Sequence, residues 1–297
     1  MGWRFPFLRD RVHAAESRLA VLRVDGGICS QIAFVALGEQ LREQGLDVKY
    51  DLSFYRDRGR DDNGRFARNW EFPSAFPGIP TPEASDAEVR LARGSRTWSG
   101  GVHIPRPPFL YDGYQGRQEA FYANVARFAN AFRPDLSKAD AVLRDAIAAE
   151  AEACAVHVRR GDLSVANAAY GRPASILYFV RAMAIVRALA PDAKFFIFSD
   201  EPDWVRAHLL REVPADLRCT VCEANGSDRG HADLWLISRC PHVIASQGSL
   251  GLFGALLSGG ANRTLVLRRH DPYVAKMLPH VMYINDDCGP CQEGDVK

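Results

Sequence analysis

The sequence has almost no net charge, because 37 Lys and Arg residues are balanced by 36 Asp and Glu residues. Proteins that coat nucleic acid have a large positive net charge, and proteins with an acidic interaction tail have a negative one. The composition therefore excludes both classes, although it allows a local basic site. We expect no nucleic acid among the partners of this chain.

Long apolar runs are also absent. The longest, residues 244–257, contains polar residues and glycines and is shorter than the roughly 20 residues of a membrane-spanning helix. The first residues show no apolar core of a signal peptide. We therefore expect a cytoplasmic protein without a transmembrane segment. Four arginines allow peripheral contact with anionic lipid, although a solvated segment is the simpler interpretation: Arg4, Arg9, Arg11 and Arg18.

Cysteines are few and odd in number, 7 in 297 residues, which is typical of free thiols in a reducing compartment. Two pairs, Cys219/Cys222 and Cys288/Cys291, have the C-x-x-C spacing of zinc sites. The first pair lies in a predicted strand, where positions three apart point to opposite faces. The second pair indicates a turn. We expect no metal site, and a zinc-stabilised structural protein is the less favoured alternative.

The N-terminal part begins with a strand, a glycine turn and a helix. Residues 19–24 predict a buried strand, Asp25-Gly26-Gly27 a turn, and the apolar spacing from Ile28 a helix that stops near Gly45. A second strand is predicted from residue 46. Glycines at such a corner let backbone N–H groups approach an anion, although these corners also form for packing reasons.

Residues 55–118 are rich in Arg, Asp, Gly and Pro. One interpretation is a loop-rich connection with a few anchoring rings, and the other is an acceptor surface where rings stack on sugars. The rings in question are Tyr55, Phe66, Trp70, Phe72, Phe76, Trp98, Phe109, Tyr111 and Tyr114. Helices are predicted over residues 119–132 and 139–151.

Strands and helices alternate regularly from Cys154 onward. Strands are predicted at residues 154–158, 194–198, 217–222, 242–245 and 264–267, and helices at 175–189, 203–211, 232–240 and 250–257. This alternation predicts an α/β fold with a parallel, doubly wound sheet that binds ligands at the carboxyl ends of its strands. We place the domain boundary between residues 146 and 147, with an acceptor-side domain at 1–146 and a sugar-nucleotide domain at 147–297.

Two arginines and a carboxylate follow the first of these strands directly, in His157-Val-Arg159-Arg160-Gly-Asp162. A planar guanidinium can hold two phosphate oxygens at once, so this placement suits a diphosphate. The alternative is an Arg–Asp ion pair that ties a loop to the sheet. The sequence contains no Walker A motif, Gly-x-Gly-x-x-Gly motif or His-Glu-x-x-His zinc motif.

Polar residues also follow or begin the later elements. Ser199 precedes a helix, where helix capping is the simple interpretation. Asp233 lies in a predicted first helical turn, where the helix dipole would stabilise it, but its two oxygens could also accept the adjacent donors of guanine. Ser246-Gln-Gly-Ser249 opens the last predicted helix and could approach a phosphate.

Several ordered motifs give residues 19–270 a resemblance to the α-1,2-fucosyltransferases of glycosyltransferase family 11, and a more distant one to α-1,6-fucosyltransferases. The most specific is the His-x-Arg-Arg-x-Asp block at residues 157–162. The others are Gly26 to Gln31, Asp112-Gly-Tyr114, Phe198 to Val205 with Trp204, and Asp233 to Ser238. The chain departs from the family pattern at Gln247 to Ala255, which lacks two tryptophans.

The resemblance implies a GT-B-like fold of two Rossmann-like domains facing a cleft, and an inverting, metal-independent transfer of L-fucose from GDP-β-L-fucose to a glycan hydroxyl. The donor is a co-substrate, so no cofactor is expected. By resemblance, Arg159 and Asp162 are the catalytic residues. The sequence does not identify the general base: Asp162 and Asp25 are the candidates, and a strongly dissociative path that depends little on a base is the alternative. The donor-binding residues would be Gly26, Gly27, His157, Arg159, Arg160, Ser199, Asp233 and Ser249.

Two further alternatives stay open. One is a GT-B transferase that uses another GDP-sugar, and the other is a non-catalytic protein that binds a GDP-sugar or a glycan. Turnover of a panel of GDP-sugars separates these alternatives from fucosyl transfer.

Overall fold

The computed structural model describes residues 17–57, 59–60, 67–100, 103–113, 124–164, 172–223, 225–226, 228–278, 280–285 and 289–290. The chain forms two compact units, one of Met1–Pro73 with Gly78–Asn124 and one of Ser74–Pro77 with Val125–Lys297. Each unit contains one parallel sheet with helices in the connections, which confirms the α/β class.

The first unit is built on a four-stranded sheet. Its strands are β1 (Leu19–Arg23), β2 (Asp47–Asp51), β3 (Thr97–Trp98) and β4 (Phe109–Tyr111). They lie in the order β2-β1-β4-β3, and all neighbours are parallel. The helices up to residue 100 are α1 (Ile28–Glu43), α2 (Ser53–Asp57), α3 (Phe72–Ala75) and α4 (Asp86–Ser95).

The second unit is built on a seven-stranded sheet. Its strands are β5 (Ala153–Val158), β6 (Lys194–Ser199), β7 (Arg218–Val221), β8 (His242–Ala245), β9 (Thr264–Leu267), β10 (Val281–Asn285) and β11 (Gly289–Pro290). Its helices are α5 (Lys138–Ala148), α6 (Ile176–Leu189), α7 (Pro202–Trp204, Val205–Leu209 and Leu210–Glu212, with a π-helical middle), α8 (Gly230–Ser238), α9 (Leu250–Leu256) and α10 (Pro272–Met277).

The strand order of this sheet creates a switch point. The order is β11-β10-β9-β8-β5-β6-β7, and every pair from β10 to β7 is parallel. The chain therefore runs outward from β5 to β7 and then crosses to β8 on the other side of β5. In doubly wound sheets, ligands bind outside the carboxyl ends of the two strands at this reversal. The doubly wound sheet predicted from the sequence is confirmed.

The core of the second unit fixes the carboxyl ends of β5 and β8. All six residues of β5 are buried, and Tyr178 and Phe179 of α6 are buried against the sheet. A buried aromatic side chain of this kind contributes about 1.5–3 kcal/mol. The Tyr178 hydroxyl also donates a hydrogen bond to the carbonyl oxygen of Ala245 at 2.6 Å. Helix α6 is thereby attached to the last residue of β8.

The loop-rich interpretation of residues 55–118 was wrong in part. Helix α4 begins with a capping box, in which Ser85 accepts from the N–H of Glu88 and Glu88 accepts from the N–H of Ser85. Strand β4 is buried and pairs with β1. An acceptor role is also excluded for four of the rings, which are fully buried: Phe72, Phe76, Phe109 and Tyr111. Phe66 and Tyr114 lie outside the described residues.

Two further expectations need correction. The tail pair was placed in a turn, but Gly289 and Pro290 form β11, which pairs antiparallel with β10; Cys288 and Cys291 themselves lie outside the described residues. The helix predicted at 119–132 contains a 3-10 turn at Arg127–Ala131, which lacks the longer α-helical hydrogen-bond pattern; residues 119–123 are also outside the described part of the chain.

The structure divides the chain after Asn124, whereas the sequence placed the boundary after residue 146. The difference arises because α5 packs on α8 and so belongs to the second unit. Asp140 of α5 is buried and accepts a hydrogen bond from the Arg229 guanidinium at 2.8 Å. Burial alone would raise the pKa of Asp140, but hydrogen bonds from Ser137, Arg229 and Asn225 outweigh it and lower the pKa.

We expect Asp140→Asn to lower the free energy of unfolding at neutral pH by about 1–3 kcal/mol, because it weakens hydrogen bonds to a buried carboxylate. Since the folded-state pKa is lowered, this stabilisation is present above the unfolded pKa and disappears as the pH falls through the folded value. Denaturant unfolding of both proteins at several pH values measures the difference. Asp145→Asn, an exposed carboxylate on the same helix, is the control. An equal effect of both variants would contradict the assignment.

Candidate functional site at the carboxyl edge of the second sheet

The carboxyl ends of β5 and β8 are joined by two hydrogen bonds. The backbone N–H of Arg159 donates to the hydroxyl oxygen of Ser246 at 3.0 Å, and the backbone N–H of Ser246 donates to the carbonyl oxygen of His157 at 3.1 Å. These bonds bring the His157–Asp162 block and the Ser246–Ser249 turn together, although they are far apart in the sequence.

The Arg159 guanidinium lies directly against Gly248. A Cβ atom built on Gly248 would lie 2.5 Å from Nη1 and 3.2 Å from Cδ of Arg159. Gly248 also has a φ of 94°, which L side chains rarely adopt. Only glycine therefore fits here, and its absent side chain leaves space for the guanidinium at the switch point.

Arg160 has a different position from its neighbour. Its guanidinium carbon lies 3.6 Å from the ring centroid of Trp204, and its Nε donates to Glu201 at 3.3 Å. The carboxylate of Asp200 accepts the backbone N–H groups of Arg160 at 2.9 Å and of Gly161 at 2.8 Å. Arg160 therefore holds the loop after β5 against the start of α7.

Ser199 also has a structural contact. Its hydroxyl donates to the carbonyl oxygen of Val158 at 2.8 Å and accepts from the N–H of Glu201 at 3.0 Å. It thus joins the carboxyl ends of β5 and β6. The assignment of Arg160 and Ser199 to donor binding stays a prediction, and their observed contacts support the loop that carries Arg159.

His157 is buried beneath this edge, and its side chain is uncharged at neutral pH. Burial lowers its pKa from 6.5 to about 3, and the positive charge of Arg159 adds to this effect. Among the described residues, its Nδ1 has no hydrogen-bond partner. A Cβ atom built on Gly251 would lie 3.2 Å from the Cβ of His157, so α9 passes close to it. A neutral imidazole with an unsatisfied ring nitrogen can still accept or donate one hydrogen bond.

Asp233 lies in the first turn of α8, as expected, and is half-buried. Its Oδ1 accepts a hydrogen bond from the side-chain amide of Asn225 at 2.6 Å. Asn225 also hydrogen-bonds Asp140, so α5, α8 and the segment before α8 share one polar network. The network fixes the orientation of the Asp233 carboxylate.

Ser249 is the residue before α9, and its carbonyl oxygen accepts the N–H of Phe253 at 2.8 Å. Its hydroxyl makes no capping hydrogen bond. Asp162 lies in a short 3-10 turn, Gly161–Ser164, and its side chain is outside the described part of the structure. The roles predicted for both residues stay predictions.

The glycine corner of the first unit is held by side chains that the sequence did not single out. The carbonyl oxygen of Gly26, whose φ is 77°, accepts from the Tyr55 hydroxyl at 3.0 Å and from the Gln31 amide at 3.3 Å. Gln31 is buried, and its oxygen accepts the N–H groups of Glu71 and Phe72 at 2.9 and 3.0 Å. One amide thus clamps the turn to the segment before α3.

Arg68 is a second basic side chain over a glycine. A Cβ atom built on Gly27 would lie 3.4 Å from the Arg68 Nη1. Gly27 is the residue before α1. The Arg68 guanidinium therefore lies beside the backbone at the start of this helix. No sequence pattern marks Arg68, because it comes from a polar segment without periodicity. The strand–glycine–helix pattern and the match of Gly26 to Gln31 with the family motif both indicated this corner, but neither indicated Arg68.

The described residues show neither a metal centre nor a membrane helix. They contain no group of three or more His, Cys, Asp and Glu side chains arranged to hold a metal ion. Cys219 and Cys222 are free thiols, and burial raises the pKa of Cys219 to about 11. Within the same residues, no helix combines the length and apolar character that a membrane span requires.

Solved structures with a similar course of the chain have low sequence identity. A glycosyl transferase family 9 protein from Veillonella parvula aligns with a TM-score of 0.47 and 9% identity, over 95% of this chain and 92% of that one. A mutant of Arabidopsis thaliana FUT1 in complex with GDP aligns with a TM-score of 0.45 and 13% identity, over 90% and 75%.

Curated relatives have a higher sequence identity with this chain, over a shorter stretch. Galactoside alpha-(1,2)-fucosyltransferase 1 of Rattus norvegicus and of Mus musculus are each 32% identical over 149 residues, which are 46% of this chain and 38% of the relative. Galactoside alpha-(1,2)-fucosyltransferase 2 of Rattus norvegicus is 29% identical over 142 residues, 45% and 38% of the two chains. The match thus spans well under half of each relative.

The family-level match covers more of the chain than the curated relatives do. The sequence model described as Glycosyl transferase family 11 matches residues 106–278, which include β4 and all helices and strands from α5 to α10. This region contains the switch point, the His157–Asp162 block and Asp233. Because the match covers more than half of the 297 residues, the chain belongs to glycosyltransferase family 11.

Proposed function

We propose that this protein transfers L-fucose from GDP-β-L-fucose to a hydroxyl group of a glycan acceptor, with inversion at the sugar carbon. The observation that carries the proposal is the Arg159 guanidinium lying against Gly248 at the reversal of strand order between β5 and β8. Ligands bind at such a switch point, and the missing side chain of Gly248 leaves room there for the guanidinium. A guanidinium in this position can hydrogen-bond the oxygens of a diphosphate.

The proposed role of Arg159 is to stabilise charge as it develops. When the bond between the sugar and GDP breaks, negative charge grows on the leaving diphosphate and positive charge grows on the sugar ring. A preplaced guanidinium meets that charge with two N–H donors in one plane. Its contact is stronger in the transition state than with bound donor, so it lowers the barrier.

The proposed nucleotide contacts are His157 and Asp233. Guanine presents N1–H and an amino group side by side, and the two oxygens of a carboxylate match these donors. Asn225 fixes one oxygen of Asp233 in place, which reduces the ordering required on binding. His157 is neutral, so it does not repel the purine edge and offers one hydrogen bond through Nδ1.

Gly26 and Gly27 stay in the proposal as donor-binding residues because of the family resemblance. Within the first unit, Gly27 precedes α1 and the Arg68 guanidinium lies beside it. Ser249, which precedes α9, is retained as a donor-binding residue on the same ground. The acceptor hydroxyl must lose a proton, and Asp162 and Asp25 are the candidate bases. The proposal includes no cofactor.

The α-1,2 linkage is the part of the proposal that rests on the relatives. Three of them bear the name galactoside alpha-(1,2)-fucosyltransferase. Product analysis of the transferred sugar by NMR, which gives both the linkage and the anomeric configuration, tests this part.

We expect GDP to bind in the presence of a chelator and clearly more tightly than UDP, because uracil lacks the adjacent donors that match Asp233. Asp233→Asn should weaken GDP binding much more than UDP binding, since an amide offers only one acceptor. Isothermal titration of both nucleotides to both proteins measures this. Equal affinity of the wild-type protein for the two nucleotides would show that the base contacts are wrongly assigned.

Arg159→Ala should lower kcat for fucosyl transfer on the order of 10²–10³-fold, as loss of a preorganised donor does elsewhere. Arg159→Lys should have a kcat between those of Arg159→Ala and the wild-type protein, because an ammonium group restores the charge but not the planar pair of N–H donors. The melting temperature should change little in both variants. Turnover of GDP-fucose and thermal unfolding measure the two effects.

Arg160→Ala is the matched control, because the adjacent arginine contacts Trp204 and Glu201. It should lower the melting temperature, since a cation–π contact of this kind contributes about 0.5–2 kcal/mol. Its effect on kcat should be smaller than that of Arg159→Ala. A fully active but destabilised Arg159→Ala protein would overturn the proposed mechanism.

Gly248→Ala should weaken GDP binding, because the added methyl group meets the Arg159 guanidinium and requires a φ that alanine disfavours. Its destabilisation should be about 1–3 kcal/mol. Gly78→Ala is the control, since a Cβ there has no heavy atom within 4 Å and φ is not in the left-handed region. If the Gly248 variant binds GDP like the wild-type protein, the phosphates lie elsewhere.

A further inference from the structure

A basic groove lies on the helix layer of the second unit, where α5 packs on α8. It runs between the segment before α5, α5 itself and the C-terminal end of α8, and its volume is about 540 Å³. This volume lies within the range of small-ligand sites. Its walls include Arg133, Leu136, Ala141, Arg144, Trp235 and Arg239.

The groove concentrates positive charge without matching negative charge. Among the described residues that line it, there is no Asp or Glu. Arg133 donates to the carbonyl oxygen of Phe132 at 3.0 Å, and Arg239 donates to the Ser238 hydroxyl at 3.1 and 3.0 Å. Both acceptors are neutral. Arg144 is the exception, because it pairs with the exposed Asp145.

The Arg239 side chain lies over the ring of Trp235. Its guanidinium carbon lies 5.0 Å from the ring centroid of Trp235, a cation–π contact that orients the side chain. Arg239 and Arg133 are both exposed and line the same groove. Partial desolvation lowers the pKa of Arg239, and the positive charge of Arg133 lowers it further. An anion in the groove would therefore meet two guanidiniums whose positive charges it would neutralise.

We propose that this groove binds an acidic saccharide, with a sulfate, phosphate or carboxylate group between Arg133 and Arg239. The sugar rings would lie along the apolar wall formed by Leu136, Ala141 and the exposed part of Trp235. The choice of a saccharide rests on the proposed function, because a glycan acceptor is the ligand that a transferase of this kind must meet. The groove would then anchor an acidic part of the acceptor away from the reacting hydroxyl.

The chemistry of the guanidiniums suits an oxyanion. Arg133 and Arg239 are exposed, so their N–H groups are accessible to a ligand from solvent. Arg133 and Arg239 offer planar donors that match oxyanions in two hydrogen bonds each, and this geometry is more selective than a diffuse basic patch.

The test measures binding of a sulfated heparin-derived tetrasaccharide to the full chain by isothermal titration, with a neutral tetrasaccharide and sodium sulfate as separate probes. Arg133→Gln with Arg239→Gln should weaken binding of the sulfated tetrasaccharide at least about tenfold, since the double variant removes charge-assisted hydrogen bonds from both guanidiniums. Arg211→Gln, an exposed arginine on α7, is the matched control and should bind like the wild-type protein. GDP binding should be unchanged in all three proteins.

Other outcomes overturn the proposal in different ways. No binding of the sulfated tetrasaccharide, or equal binding by the double variant, would remove the groove as its site. Binding of vesicles of phosphatidylcholine with phosphatidylserine that depends on Arg133 and Arg239, without tetrasaccharide binding, would assign the groove to a lipid headgroup instead. Normal tetrasaccharide binding together with no GDP binding would leave the groove intact and contradict the proposed function.

Discussion

The hydrogen bond between the Arg159 N–H and the Ser246 hydroxyl is the contact on which the rest of the proposed site depends. It joins residues separated by 87 positions in the chain. The neighbouring bond from Ser246 N–H to His157 keeps β5 and β8 in register up to their last residues. This places the Arg159 side chain over the only kind of residue, glycine, that leaves space for it. Tyr178 supports the arrangement from below by binding the carbonyl oxygen of Ala245.

The two adjacent arginines show how one short loop can combine binding and support. Residues next to each other at the end of a strand point in different directions, so Arg159 and Arg160 meet different surroundings. Arg160 stacks on Trp204 and pairs with Glu201, while Asp200 holds the backbone of the same loop. The contacts of Arg160 thus stabilise the loop that carries Arg159, the arginine proposed to act in catalysis. The first unit repeats the pattern more simply, with Gln31 and Tyr55 fixing the turn beside Gly27 and Arg68.

The sequence indicated the second unit well, because its strands are short, continuous apolar runs bounded by helices of ordinary length. In the first unit it indicated β1, α1 and β2 but not the later elements. Strand β4 has only three residues, Phe109–Tyr111, and follows prolines, so no alternation marks it. The capping box at Ser85 and Glu88 is a local pattern that could have identified α4. The contact of Arg68 with Gly27 depends on tertiary folding of a polar segment and has no local signal. The contact of Arg160 with Trp204 could not be predicted from the sequence either, because two adjacent arginines give no signal of which one stacks on a ring elsewhere in the chain.

A crystal structure of the protein with GDP tests the central claim most directly. The account predicts that oxygens of the β-phosphate lie within about 3 Å of the Arg159 guanidinium nitrogens, beside the backbone of Gly248, as in other charge-assisted hydrogen bonds. The base should hydrogen-bond the Asp233 carboxylate. A diphosphate bound away from the ends of β5 and β8, with Arg159 making no contact to it, would contradict the account.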